Sequence, residues 1–433
     1  TVRFQPRLSS SVCSNHSKAG NKKKIGGSKG KQAFISLFSV LSSLFLSPFL
    51  GILIFSSCLY SYISDIIRTF AAEKKKNEMD KYIILSPEAK GSFNDRLNFL
   101  YLKLGNFLDT EKLENRTLQY CKVFLSDSQN QIKELEESLL YQEFLKGANL
   151  TIVEQTPLNG SKVSLLIKTT DEATPILFHS LRLTEEEAKG KDSYEQTHFL
   201  FNKYLKTIEG TDMTMERNLI RTWIYVTNID VNYQGVVEAR KDIFDKEGLT
   251  ADTHYIASTG IGGATPVRHA AVAIDFLTIP HIKEEDKKYL QALDHLNSTH
   301  EYGVAFERGT RLTLPTHTLH SEGSQQFKQQ YFISGTASID KHGDVVYEGD
   351  IVRQTGRLLE NIGALLKDGD ATMNDIQYFI IYLRDISDYH TVDRLMQQFY
   401  PQIPRIIVEA KVCRPGWLIE MECIAEKESY STE

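Results

Sequence analysis

The chain has 433 residues, of which 41% are hydrophobic and 24% charged, a composition that excludes a disordered or fibrous protein and favours a globular one. Five cysteines without a C-x-x-C pair form neither a disulfide framework nor a structural zinc site, which is typical of a reduced, cytoplasmic protein. Residues 1–78 hold 12 Lys and Arg against 3 Asp and Glu, so residues 79–433 carry a net charge of −15, and we expect a small-molecule partner rather than nucleic acid.

The first 78 residues differ from the rest of the chain. Residues 33–64 contain no charged side chain, and a run of that length is long enough to cross a bilayer. The run is unusually rich in Ser and Phe, contains Pro48 and leads into a Glu/Lys stretch before Met79. We interpret residues 1–78 as a leader of translated non-coding sequence before a start at Met79, or else as a membrane anchor. In the first case no membrane contact is expected, and the segment is dispensable for folding.

Residues 79–190 are predicted to form an α/β extension without recognisable chemistry. Apolar spacing predicts a helix over 111–146, and two apolar runs predict strands over 163–168 and 176–183.

An internal repeat follows. The first copy, within 191–285, predicts a strand over 217–230, a helix over 231–248 and two strands within 253–279. After a connecting segment, 286–330, the second copy within 331–427 predicts these elements: a strand over 331–340, a turn at 341–344, a helix over 350–367, a strand over 374–387, a helix over 388–402 and two strands within 404–426. The predicted fold is α+β, with tandem β-β-α-β-α-β-β units whose helices lie on one face of a mixed sheet.

Several phrases of the second copy carry a family resemblance. They are FISGTASI (332–339), IYLRDISDY (381–389), PRIIVEA (404–410) and IEMECIA (419–425). They resemble the Rid/YjgF family, also called endoribonuclease L-PSP, whose chorismate-mutase-like domains assemble as trimers. A homotrimer is therefore expected. The degenerate first copy, together with CRPGWLIEME (413–422), resembles the chorismatases.

Two charged residues of the second copy are the predicted catalytic pair. Arg405 begins an apolar strand, and the resemblance implies that it pairs with a substrate carboxylate; an arginine bound to a surface acid is the alternative. Glu420 alternates with apolar neighbours, and the resemblance implies that it positions or protonates the reacting group. The first copy has Ala273 and Asp275 where the second has Glu420 and Glu422, and it has His254 near the place of Arg405, so it is not expected to catalyse.

Six further residues are predicted to bind substrate, although each also has a purely structural interpretation: Gly335, Ser334, Cys413, Tyr302, Arg308 and Glu422. Gly335 interrupts a strand, where glycine often permits close approach of a ligand. Cys413 is interpreted as pocket lining because no histidine stands at a convincing partner position. The histidines lack metal-site spacing and no G-x-G-x-x-G phrase opens a helix, so neither a metal nor a cofactor is expected.

Three functions remain open. The first is hydrolysis of a small carboxylate substrate by deamination of a 2-imino or enamine acid, with Arg405 as the carboxylate clamp and Glu420 positioning water. The second is chorismatase-like hydrolysis of chorismate to a hydroxybenzoate or a dihydroxy acid plus pyruvate. The third is a non-catalytic oligomer that binds a small ligand, since a fold alone does not imply chemistry.

Overall fold

The computed structural model describes residues 80–88, 90–171, 176–299, 305–319 and 325–430. The leader 1–78 and the candidate residue Tyr302 lie outside the described residues. Within those ranges, no helix combines the length and the apolar character that a bilayer span requires.

The amino-terminal described segment is an α/β unit. Its elements are β1 (Lys81–Leu85), α1 (Phe93–Leu113), β2 (Thr117–Leu125), α2 (Ser128–Glu137), β3 (Leu150–Glu154), β4 (Thr156–Pro157) and β5 (Val163–Thr170). The strand predicted over 163–168 is confirmed by β5. The helix predicted over 111–146 is confirmed only in its second half, as α2 and a π-helix at Leu140–Leu145. Its first half is wrong, because α1 ends near Asn115, which takes a left-handed φ of 59°, and a strand follows.

Strand β2 explains that error. It is buried on both faces, so its apolar residues follow each other closely enough to fit helical spacing as well. Cys121 and Val123 pack with the helices of this unit, whereas the alternate residue Phe124 belongs to a different core. Apolar periodicity alone does not distinguish a strand that is buried on both faces from a helix.

The middle unit contains β6 (Leu177–Leu181), α3 (Ser193–Ile208), β7 (Leu219–Val226), α4 (Ile229–Lys246), β8 (Ala257–Gly262) and β9 (Val272–Thr278), with short helices at Glu185–Ala188 and Met215–Asn218. The strand predicted over 176–183 opens this unit as β6. The predicted boundary at 191 therefore falls after the unit's first strand.

The third unit follows the connecting strands β10 (Lys287–Tyr289) and β11 (Gly309–Leu319). It contains β12 (Gln325–Ala337), α5 (Ile351–Asp368), β13 (Ile376–Leu383), α6 (Tyr389–Phe399), β14 (Arg405–Glu409) and β15 (Ile419–Tyr430). The β-β-α-β-α-β-β unit implies a second strand after the turn at 341–344, and in its place the structure has one bridge, between Ile339 and Val345.

All three units share one sheet topology. The strand orders are β1-β5-β2-β3, β6-β9-β7-β8 and, within a seven-stranded sheet, β12-β15-β13-β14. In each unit the second and third of these strands in chain order are parallel and the other pairs antiparallel. The predicted α+β class with mixed sheets is thus confirmed, and the described residues hold three copies of the unit rather than two.

The three units close into a ring. Backbone hydrogen bonds join the first to the middle unit (Glu154 N to Ala264 O, 2.8 Å), the middle to the third (Gly262 N to Lys411 O, 2.8 Å) and the first to the third (Leu158 N to Ile407 O, 2.9 Å). The third strand of each unit, or the residues just after it, meets the next unit. Apolar residues from all three sheets share one core, whereas the helices of the first and middle units pack in cores of their own.

Candidate active site

A cavity of about 210 Å³ lies at the seam between the middle and third units. The middle unit contributes Tyr233, Arg240, Ser258 and Gly260 to its wall. Phe306 and Arg308 come from the connecting segment. The third unit contributes Gly335, Ala337, Ile339, Cys413, Arg414, Trp417 and Glu420. The structure thus brings four predicted site residues together: Gly335, Cys413, Arg308 and Glu420.

Glu420 and Gly335 form the floor of this cavity. Glu420 lies on β15 opposite Ala337 of β12, and its side chain is only 4% exposed. A Cβ atom on Gly335 would lie 1.9 Å from Glu420 Oε1, so only glycine leaves room for this carboxyl. Strand β12 bulges here, between Ile333 and Thr336. The glycine predicted to admit a ligand therefore also makes space for the proposed acid.

The protonation of Glu420 is shifted by its surroundings. Burial, together with the like charge of Glu422, raises the pKa of Glu420 to about 8, while Arg308 opposes the rise. Among the described residues, no group donates a hydrogen bond to this carboxyl. Glu420 is therefore protonated at neutral pH and able to act as a general acid.

Two arginines, the buried Arg240 and the half-buried Arg308, line the cavity. Arg240 is 2% exposed, and its Nε and Nη2 atoms have no hydrogen-bond partner among the described residues. Arg308 donates from Nη2 to Asn297 Oδ1 at 3.0 Å, but its Nε likewise has no partner within the described part of the chain. The guanidinium carbons lie 6.0 and 5.3 Å from the centre of the Phe306 ring. Burial lowers the pKa of Arg308 to about 10, which still leaves it cationic at neutral pH.

The loop before β15 provides a further part of the cavity wall. Arg414 lies over the Trp417 ring at 4.8 Å and donates to the Gly343 carbonyl oxygen at 3.1 Å. Burial is the main reason that the pKa of the Cys413 thiol is raised well above its usual range, and Glu420 adds to the rise. A thiol rather than a thiolate therefore lines the pocket, which favours the pocket-lining interpretation of Cys413 over a nucleophile.

Two predicted binding residues lie behind the cavity instead of lining it. The Ser334 hydroxyl donates to Glu307 O at 2.6 Å and accepts from Ser258 N at 2.9 Å, so it joins the two units. Glu422 accepts from Arg221 Nη2 at 2.9 Å and from Trp223 Nε1 at 2.8 Å. Both side chains are fully engaged with protein groups, so the structure does not support direct substrate contact by either.

Arg405 is not in this cavity. Its Nη2 atom bonds Asp393 at 2.8 Å and Gln397 at 3.0 Å, and it borders a separate depression at the seam of the third and first units, near Ser86 and Asn159. This arrangement matches the alternative interpretation, in which Arg405 pairs with an acid at the surface. The structure thus separates Arg405 from Glu420. The arrangement of the units explains this separation. The strand that carries Arg405 faces the first unit, whereas Glu420 faces the middle unit.

Strand register identifies the true counterparts. Tyr382 lies opposite Glu420, and Tyr225 lies opposite Ala273, so the predicted correspondence of Glu420 with Ala273 matches the structure. Three residues before each tyrosine, Phe379 lies opposite Arg405 and Thr222 opposite Ser258. Ser258, not His254, therefore occupies the place of Arg405 in the middle unit, and Ser258 lines the Glu420 cavity.

Sequence reasoning missed most of the middle unit's contribution. Arg240 stands within the buried stripe of α4, with Val236 and Ile243, which is where a charged residue is unusual. A charged residue at a buried helix position was the sequence signal that could have identified Arg240 as a site residue. Nothing in the sequence marks Ser258 or Gly260 as cavity residues. In the described ranges, no group of three or more His, Cys, Asp or Glu is placed to hold a metal ion.

The cavity thus lies between two units of a single chain, within a ring of three units that share one topology. The family model for Endoribonuclease L-PSP matches residues 316–427. A RutC family protein of Pyrococcus abyssi is 34% identical over 99 residues, which are 22% of this chain and 78% of that protein. The 3-aminoacrylate deaminase RutC of Acinetobacter baylyi is 30% identical over 96 residues, 22% of this chain and 76% of that protein.

On this evidence the chain belongs to the endoribonuclease L-PSP family, also known as the Rid/RutC family. One solved structure resembles most of the chain: a chorismatase crystal structure covers 80% of it, with 98% of the chorismatase aligned, a TM-score of 0.55 and 17% identity. At that identity the likeness concerns the fold, and it supports a chorismatase-like layout of the units.

Proposed function

We propose that the protein is a hydrolase of a small dicarboxylate enol ether of the chorismate type. The observation that carries this proposal is a carboxyl with a pKa of about 8 in a cavity that also contains three arginines: Arg240, Arg308 and Arg414. A protonated acid beside several cations suits a substrate with two carboxylates whose reaction begins by proton transfer. The likeness to a chorismatase over most of the chain supports the same choice.

The residues suggest an order of events. Two guanidinium groups pair with the two carboxylates, and Glu420 donates its proton to the methylene carbon of the enolpyruvyl group. The C=C electron pair forms the new C–H bond, which leaves an oxocarbenium centre. Water adds to that centre and returns a proton to the Glu420 carboxylate. Collapse of the hemiketal breaks the C–O bond to the ring and yields pyruvate and a ring hydroxyl.

Deamination of an enamine or imino acid is the second candidate, favoured by the 30% identity over 96 residues to a 3-aminoacrylate deaminase. Glu420 would protonate that substrate or position the water that attacks it. The deaminase version with Arg405 as clamp is less favoured, because Arg405 is bound to Asp393 at another seam. Arg308 or Arg240 would have to take its role.

One side-by-side assay tests the choice. The full chain is incubated with chorismate and, separately, with enzymatically generated 3-aminoacrylate, while pyruvate and ammonia are measured. We expect pyruvate from chorismate at a rate that Glu420→Gln abolishes. Ammonia from 3-aminoacrylate, without chorismate turnover, would favour the second candidate. No turnover of either, with binding of chorismate by calorimetry, would favour a non-catalytic binding protein.

The oligomeric state and the location are also proposals. Because all three seams of the ring form within one chain, we infer that a single chain holds a complete site and that no homotrimer is needed to build it. The cytoplasmic location stays a prediction from the reduced cysteines.

A further inference from the structure

Arg221 is a buried arginine of the middle unit that lies behind the cavity and does not line it. It lies on β7 and is 1% exposed. Nη1 donates to the Ile333 carbonyl oxygen at 2.8 Å, and Nη2 donates to Glu422 Oε2 at 2.9 Å and to Thr259 Oγ1 at 3.0 Å. One guanidinium thus binds three groups that adjoin the floor formed by Gly335 and Glu420.

Two of these bonds fix the shape of the floor. Ile333 is the residue at which β12 begins to bulge away from its register with β15. Thr259 Oγ1 also accepts from Gly335 N at 3.0 Å, inside the bulge. Arg221 therefore holds the bulge from both sides, directly through Ile333 and through Thr259. The bulge in turn places Gly335 where a Cβ atom would collide with Glu420.

The bond from Arg221 to Glu422 fixes the position of a negative charge. Glu422 is two residues from Glu420 on β15, so the two side chains share a face at roughly 7 Å along the strand. Arg221 and Trp223 occupy one oxygen each of the Glu422 carboxylate, which locks it in place behind Glu420. A fixed anion at that distance disfavours ionisation of its neighbour.

We propose that Arg221 is a positioning residue of the site: a residue of the middle unit that sets both the space and the protonation of Glu420. This inference rests on the proposed function for its relevance to turnover, but not for its physical content. It assigns the middle unit a role beyond supplying part of the pocket wall.

Other groups also face the two carboxyls and must be considered in any titration. Around Glu422 they are Arg221, Trp223 and Tyr225 of β7, Tyr378 and Tyr382 of β13, Cys423 of β15, and Tyr120 and Lys122 of β2. Around Glu420 they are Arg308, Tyr233, Cys413 and Tyr382.

The middle unit offers a matched control. Asp275 occupies the place of Glu422, is fully buried and binds Arg182 at 3.0 Å, but it neighbours Ala273 rather than a glutamate. Asp275→Asn thus removes the buried carboxylate of an ion pair, here with the half-buried Arg182, without a neighbouring acid to influence.

The test measures Glu420 without substrate. The carboxyl stretching band of protonated Glu420 is identified by infrared difference spectroscopy against Glu420→Gln and titrated in each variant of the full chain. We expect Glu422→Gln to lower the titration midpoint by about one pH unit or more, because a like charge is lost and Arg221 is left to attract the ionised form. Arg221→Lys should lower kcat with little change in KM, since an ammonium cannot bind three partners in this geometry.

Each outcome decides the inference. A midpoint in folded Glu422→Gln equal to wild type, or equal shifts in Glu422→Gln and Asp275→Asn, would overturn it. If Glu422→Gln does not fold, Thr259→Val decides, because it removes only the hydroxyl between Arg221 and Gly335: a shifted Glu420 band supports the inference and an unchanged band overturns it. If wild type turns over neither substrate, the proposed function fails while the infrared result still stands.

Discussion

Replacing Gly335 with alanine perturbs the site by one methyl group. The new Cβ would lie 1.9 Å from Glu420 Oε1 and 3.0 Å from Thr259 Cγ2, so the carboxyl must retreat by about 1.5 Å to reach ordinary contact. The backbone of Gly335 is not left-handed, so the substitution acts through this contact rather than through backbone strain. Overpacking of this kind costs about 1–3 kcal/mol in folding stability.

The effect on catalysis should be as large. Displacement of a catalytic group by about 1 Å costs on the order of a hundredfold in rate, equivalent to about 2.7 kcal/mol of activation free energy. We expect Gly335→Ala to lower kcat for pyruvate release by about that factor. The matched control is Gly356→Ala on α5, where a Cβ meets no atom within 4 Å. A Gly335→Ala rate within about twofold of wild type, or an equal loss in Gly356→Ala, would refute the reasoning.

Further predictions concern charge and assembly. Because Glu420 must be protonated to act as an acid, kcat/KM should fall above about pH 8, and a flat profile to pH 10 would contradict this. Since its folded pKa is raised from 4.5, Glu420 contributes stability that is full below pH 4.5 and lost as the pH rises to about 8; Glu420→Gln should remove that part of the pH dependence of the urea midpoint. Arg405→Lys should leave turnover unchanged, whereas Arg308→Lys should raise KM by about tenfold or more; the reverse pattern in steady-state kinetics would restore Arg405 to the site. Light scattering combined with rate measurements should show activity per chain that does not depend on association, and activity confined to trimers would argue against a one-chain site.

The third unit was predictable because its local patterns and its motif agree. The alternation around Glu420, the glycine at 335 and the phrase containing Cys413 lie on neighbouring elements of one unit, so motif and structure place them together. Arg405 lies in an equally clear motif, but its neighbours depend on which unit the third strand meets. That relation is set by closure of the ring and not by local sequence.

The first two units show the limits of periodicity. Strand β2 is buried on both faces, so its apolar residues fit a helix as well as a strand, and the first copy of the repeat went unrecognised. Arg240 and Ser258 of the middle unit enter the site only because that unit packs against the third. Their role follows from contacts between residues far apart in the sequence, such as that of Ser258 with Ser334, 76 positions away.

The most direct test of the central claim is a single-turnover measurement of pyruvate released from chorismate at neutral pH by the wild-type chain and by Glu420→Gln, with binding measured for both. We expect wild type to release one pyruvate per chain, and Glu420→Gln to bind chorismate with similar affinity but release none. Pyruvate release by Glu420→Gln at the wild-type rate would contradict the assignment of Glu420 as the acid of this cavity.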